Sequence, residues 1–234
     1  MTIDINTINN NARNSAELIA KNDLKNRRKT KFLPTKIIDN FFESPSLWRK
    51  LALSQHYEVA GENPSTYPGK RSPFLNQIDK EAFELLAKGL LKHLPMFRGF
   101  SDLWANFHLI DSSYGSGWVH DDDPTLSVSG LIYLNPNPHT NSGTTIYNDR
   151  HDAQADTYND KFKQDVLYAT PKDRESMSKY REEHRSYFTP NTIIENVYNR
   201  CVMFDPKVWH SPNEFFGSAD DSARLTLVFF ARGG

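Results

Sequence analysis

The sequence contains a single cysteine, Cys201, so an internal disulfide is excluded. It has no apolar run approaching the roughly 20 residues that cross a bilayer. The first residues, Met1 to Asn11, are polar and lack the hydrophobic region of a signal peptide. These absences predict a soluble protein of a reducing, cytoplasmic-type compartment with no membrane partner. Excess charge is missing too: 28 Lys and Arg face 29 Asp and Glu, a net charge of −1. No global field therefore recruits nucleic acid or an anionic membrane, and nucleic acid is not an expected partner. Cys201 is followed by Val202, Met203 and Phe204, which reads as a buried strand carrying a packed thiol rather than a nucleophile. There is no internal repeat and no low-complexity tract.

What is present divides in two. A length of 234 residues suits one domain with a sizeable core. Residues 1–30, rich in Asn, Lys and Arg, read as a loosely held arm. It contains a weak amphipathic stretch over 12–24 and a basic cluster, Lys25, Arg27, Arg28 and Lys29, that suits a solvated helix end. Residues 31–234 are expected to form one domain, with 31–102 as helical support. One helix is predicted over 46–55. A second is predicted over 78–94, where Ile78, Ala82, Leu85, Leu86 and Leu90 form a stripe ended by Pro95. Between them, 67–73 reads as a turn carrying Lys70 and Arg71. Solvated loop cations are the plainer reading of that pair, and partners for a substrate carboxylate or peptide carbonyl the functional one.

From residue 103 the pattern changes to short runs rich in aromatic and branched residues, at 103–110, 126–134, 144–147, 192–197, 201–204 and 224–230. Many short strands separated by Gly, Pro, Asn and Asp turns predict a mainly β fold with flanking helices and a jelly-roll core over 103–234. A polar insertion over 151–187, helix-forming over 173–187, interrupts it, and reads equally as a lid or as a passive surface excursion.

Between two predicted strands lies Trp118-Val119-His120-Asp121-Asp122-Asp123. In extended backbone, residues i and i+2 project to one face, so His120 and Asp122 can reach one ion together. His210, after the strand ending at Phe204, is the best third ligand. Two imidazoles and a carboxylate form a facial triad that leaves three positions open on Fe(II), two for a 2-oxo acid and one for dioxygen. A closed structural zinc site would use four protein ligands. The spacing alone is weak, and Asp121 to Asp123 also suit a solvated turn or a hard-cation loop, although without the alternation of an EF-hand. Further on, Arg224, Thr226 and Val228 share one face of an apolar strand. A buried guanidinium needs a partner, and its planar fork fits a carboxylate. A bound dicarboxylate supplies one, with Thr226 adding a hydroxyl donor; a buried salt bridge to an Asp or Glu is the alternative.

These pieces resemble, in order, the 2-oxoglutarate/Fe(II)-dependent dioxygenase superfamily, and their spacing is most similar to its prolyl-4-hydroxylase-like branch. The segment Gly115-Ser116-Gly117-Trp118-Val119-His120-Asp121-Asp122 resembles the glycine-containing approach to His-x-Asp. Leu131-Ile132-Tyr133-Leu134-Asn135 resembles the next strand, where a tyrosine hydroxyl helps hold the distal carboxylate. Ser142-Gly143-Thr144-Thr145-Ile146-Tyr147 is similar to the Gly-Gly-x-Thr-x-Phe strand, and Asn199 to Phe204 with His210 and Arg224-Leu225-Thr226 resembles the distal histidine and basic anchor. Many prolyl hydroxylases carry Lys where this chain has Arg224. The resemblance implies a double-stranded β-helix that binds iron through His120, Asp122 and His210 and 2-oxoglutarate through Arg224, Tyr133 and Thr226. It implies hydroxylation of an unactivated C–H bond with dioxygen, ascorbate serving as reductant. A prolyl or other peptidyl residue is the expected substrate, with a free amino acid or small metabolite as the alternative; a non-catalytic metal-binding jelly roll is the competing class. Trp118, Trp209, Tyr114 and Tyr147 are candidate pocket walls or plain core. His56, His93, His108, His139, His151 and His184 have no ligand spacing and are expected at the surface or as satisfied interior groups.

Overall fold

The computed structural model describes residues 33–59, 67–148 and 178–234. The arm over 1–30, including its basic cluster, and most of the insertion lie outside the described residues. Residues 34–234 form one compact unit. Among the described residues, no helix is long and apolar enough to cross a membrane.

Two antiparallel sheets build the unit. Seven strands lie in the order β1 (Lys36–Ile38), β8 (Cys201–Phe204), β5 (Val128–Tyr133), β10 (Arg224–Gly233), β4 (Phe100–Ile110), β3 (Lys70–Phe74), β2 (Glu58–Val59). Three more lie in the order β7 (Pro190–Ile194), β6 (Thr144–Tyr147), β9 (His210–Pro212). The expected jelly roll is therefore present. Leu131, Tyr133 and Val202 of the larger sheet pack against Ile146 and Ile194 of the smaller one, the alternation of each strand placing one face inward. Buried in β8, Cys201 is a free thiol whose pKa is pushed well up by desolvation.

The support over 31–102 is not purely helical, since it contributes β1, β2 and β3. Helix α1 (Pro45–Leu53) starts on a proline at its first turn, where no amide bond is lost, and buries Trp48 and Ala52. Phe42 stacks on Trp48 at 3.8 Å between ring centroids. Asn199, at φ 64°, ties this support to the core, accepting from Phe42 N (2.9 Å) and donating to Phe42 O (2.8 Å).

Helix α2 (Leu75–Ile78) is a single turn, and α3 (Lys80–His93) begins later than the stripe predicts. Asp79 is extended and accepts a hydrogen bond from Ala82 N at 3.0 Å, so it caps α3 and separates Ile78 from it. The buried face is Ala82, Leu86 and Leu90, while Leu85 is 53% exposed and leaves the stripe. Both helices pack on β4, covering its outer face.

The largest correction concerns 67–73, which is not simply a turn. Lys70–Phe74 pairs antiparallel with β4, and the register shifts between Arg71 and Phe74, where Pro73 has no N–H to give the ladder. The Ser72 hydroxyl fills in by accepting from Phe107 N at 3.0 Å. Gly69 at φ 77° leads into this strand, and a Cβ there would lie 2.3 Å from the Leu109 carbonyl oxygen. Only Ser178–Ser186 (α4) of the helix expected over 173–187 lies among the described residues.

Candidate active site

His120 and His210 face each other across an isolated antiparallel bridge. Each accepts from the other's backbone, His120 N to His210 O at 3.0 Å and His210 N to His120 O at 2.9 Å. That reciprocal pair fixes both residues at once. Asp122, two residues on, is held by its own amide donating to Pro206 O at 2.8 Å. Gly117 sets the approach, because a Cβ there would meet Pro212 Cδ at 2.5 Å and Pro212 O at 2.8 Å.

The side chains are aimed as well. Nδ1 of His120 lies 2.8 Å from Trp118 O and Nδ1 of His210 lies 2.9 Å from Val208 O. A carbonyl only accepts, so Nδ1 carries the proton in each ring and Nε2 presents its lone pair. Both Nε2 atoms lie 3.8 Å from the Asp122 carboxylate. One ligand atom from each residue falls within 4.8 Å of the others, a grouping that can hold a metal ion. Asp122 Oδ2 is shut off from solvent and accepts no hydrogen bond, which suits a carboxylate oxygen reserved for a cation.

These three residues border a cavity of about 1050 Å³ whose wall also includes Trp118, Thr144, His108, Arg71 and Arg224. Arg224 is 2% exposed. Its Nε donates to Ser142 O at 3.0 Å, while Nη2 is buried without a partner. Among the described residues, no carboxylate pairs with it, so the alternative of an internal salt bridge has no support. Burial lowers its pKa, opposed by the neighbouring Tyr133. Asn135 sets the start of β10, accepting from Leu225 N (2.7 Å) and donating to Ala223 O (2.8 Å).

Tyr133 and Thr226 stand next to this arginine but behind the cavity wall. Both are fully buried, and the Tyr133 hydroxyl shares a 2.7 Å hydrogen bond with Thr144 Oγ1. Thr144 reaches the cavity itself. Only Trp118 of the four candidate wall aromatics lines the cavity. Tyr147 and Trp209 pack with Val119 and Phe188, and Tyr114 with Ile110 and Phe215. Helix α4 covers the segment leading to His120: His184 stacks on Trp118 at 3.9 Å and Arg185 Nη2 donates to Gly117 O at 2.8 Å.

The sequence reading gave His108 and Arg71 no definite part in the site, yet both face the cavity. Nε2 of His108 donates to Pro68 O at 2.6 Å, and burial, with Arg71 beside it, holds the ring neutral with its pKa well below the usual value. Arg71 is pushed down to about 10 by burial and remains a cation near neutrality.

The two facing sheets are shared with solved structures of a 2-oxoglutarate-binding protein and a prolyl hydroxylase. The backbone is similar to HygX from Streptomyces hygroscopicus, solved with nickel and 2-oxoglutarate bound, at TM-score 0.51 and 12% identity over 85% of this chain and 82% of that one. It is also similar to a prolyl hydroxylase from Trichoplax adhaerens, solved with a hypoxia inducible factor oxygen degradation domain peptide fragment, at TM-score 0.50 and 16% identity over 99% and 94% of the two chains. Residues 25–231 match the family of unknown function DUF6445, and the chain belongs to that family. Among curated proteins none matches the sequence.

Proposed function

We propose that this chain is a 2-oxoglutarate- and Fe(II)-dependent dioxygenase that hydroxylates an unactivated C–H bond. His120, Asp122 and His210 hold the iron, and Arg224 binds the distal carboxylate of 2-oxoglutarate. The observation that carries this reading is one cavity bordered by two aimed imidazoles, a carboxylate oxygen without a partner and a buried guanidinium without a counter-ion. A metal-only module has no use for Arg224.

Fe(II), when bound, supplies the redox chemistry by which 2-oxoglutarate, dioxygen and R–H become succinate, carbon dioxide and R–OH. The chain's own work is positional. Val208 O and Trp118 O keep both imidazoles in the tautomer that presents Nε2. Arg224 orients the co-substrate through its distal end, and the Thr144 hydroxyl, tied to Tyr133, stands beside it as a further donor. Trp118, packed under α4, keeps water from one side of the metal group. HygX and the Trichoplax enzyme were solved with 2-oxoglutarate and with a peptide respectively, which supports this class for a shared fold. A prolyl or other peptidyl side chain is one substrate reading. A free amino acid or small metabolite is the second.

The test is succinate formation from 2-oxoglutarate in air with added Fe(II) and ascorbate. Wild type produces iron-dependent succinate, and His210→Ala abolishes it. Unchanged turnover in that variant would sink the ligand set.

A further inference from the structure

The two cations of the 67–73 segment part company once β3 is formed. Lys70 leaves the site and pairs with Asp220 at 2.5 Å. Arg71, next in the strand, faces inward. The ladders align Arg71 with His108 of β4, His108 with Thr226 of β10, and Thr226 with Tyr133 of β5. One row of polar side chains therefore crosses four strands, and Arg71 ends it on the cavity wall that also includes His120 and Asp122.

Arg71 is held ready. Its guanidinium lies 4.0 Å from the centre of the Tyr67 ring, and that ring meets His108 edge-on at 5.6 Å. Stacking fixes the plane of the fork. Its Nε is buried and donates to nothing. Among the described residues, no carboxylate lies within ion-pairing distance, Glu58 included, although Glu58 sits opposite Arg71 in the β2–β3 ladder. His108, neutral and already donating to Pro68, supplies no counter-charge. Asp122 acts on it only beyond ion-pairing distance, and in the dioxygenase reading that carboxylate is committed to the metal, so a stacked, largely buried cation is left for a ligand that brings an anion.

That ligand is not the distal end of 2-oxoglutarate. Arg224 lies on β10 and Arg71 on β3, with β4 between them, so the two backbones stand two strand spacings apart, roughly 10 Å. We propose that Arg71 anchors a carboxylate of the primary substrate, so that the molecule hydroxylated here is a small carboxylic acid lying between Tyr67 and the metal group. This rests on the dioxygenase reading for the word substrate, but the anion site itself does not.

The test uses the full-length protein, anaerobic, loaded with Fe(II) and saturated with 2-oxoglutarate so that the Arg224 end is filled. Benzoate and benzamide are titrated calorimetrically as an acid and amide of equal shape. Benzoate is expected to bind about tenfold or more tightly than benzamide, as loss of a charge-assisted pair implies. Arg71→Gln removes the preference, Arg71→Lys keeps part of it, and the 2-oxoglutarate midpoint stays within about twofold in both, since its own anchor is untouched. No benzoate binding, equal binding of acid and amide, or a preference that survives Arg71→Gln overturns the proposal. So does a large loss of 2-oxoglutarate binding in Arg71→Gln, which would make Arg71 part of the co-substrate site. Absence of the iron–2-oxoglutarate charge-transfer band in wild type defeats the dioxygenase reading alone, because the acid–amide contrast is still read by heat in the same sample.

Discussion

On the cavity wall two imidazoles are each aimed by a backbone carbonyl and tied to one another by reciprocal amide bonds, and on the same wall two guanidiniums stand on ladder strands with donors left over. At the metal end both Nδ1 atoms are satisfied by backbone carbonyls, while Asp122 Oδ2 accepts no hydrogen bond. The arginine end is satisfied only in part: Arg224 Nε donates to Ser142 O and Arg71 stacks on Tyr67, while Arg224 Nη2 and Arg71 Nε have no hydrogen-bond partner. A group with all its partners is positioned by folding, whereas a buried charge without one is positioned at a cost that a ligand offsets. The contrast separates residues that shape the site from residues that wait for something to enter it.

Arg224→Met should break the arginine end and spare the other. The 2-oxoglutarate concentration at half-saturation is expected to rise about a hundredfold, the scale of one bidentate charge-assisted contact, with Fe(II) affinity unchanged. Without 2-oxoglutarate the variant should unfold at no lower temperature than wild type, because an uncompensated buried charge has been removed. A marked fall in thermal midpoint would show that its contacts with Ser142 O and Tyr133 outweigh the cost of burying its charge.

Gly117→Ala strikes the metal end through the backbone. Its Cβ would overlap Pro212, so the approach to His120 must shift, at about 1–3 kcal/mol of stability. Iron binding should weaken while the acid-over-amide preference at Arg71 persists. Equal damage to both would mean that the two ends are mechanically one.

The smallest effect concerns His108. Its folded pKa lies well below the ordinary imidazole value of 6.5 because burial disfavours the charged ring. The unfolded chain takes up that proton as pH falls through about 6.5, so the stability tied to the neutral ring is present above this range and lost below it. His108→Gln, which keeps a donor for Pro68 O, should show a shallower drop in urea midpoint between about pH 7.5 and 5.5. Parallel drops would mean that the ring does not titrate differently on folding.

Much of this arrangement was legible in the sequence, for local reasons. His120 and Asp122 are two residues apart in extended chain, and an arginine inside Leu225, Leu227 and Phe229 announces a buried cation. Arg71 was legible only as one of two loop cations with a substrate carboxylate as one reading, and its place in a strand was not. Lys70-Arg71-Ser72-Pro73-Phe74 has neither apolar alternation nor a ladder-competent residue at Pro73, so only pairing with β4 makes it a strand. His108 has no ligand spacing because its neighbours, Arg71 and Thr226, come from two other strands. The late start of α3 came from Asp79, whose capping outweighed the continuity of the apolar stripe. Tyr133, expected as a co-substrate contact, shares a hydrogen bond with Thr144 beside Arg224, and it is Thr144 that reaches the cavity wall.

The most direct measurement is an anaerobic Fe(II) titration with and without 2-oxoglutarate, following the visible charge-transfer band that chelation of iron by a 2-oxo acid produces. The account predicts the band in wild type, its loss in His210→Ala, and its return in Arg224→Met only at much higher 2-oxoglutarate. Iron binding without the band at any 2-oxoglutarate concentration would contradict it, and would leave a metal-binding jelly roll that does not use the co-substrate.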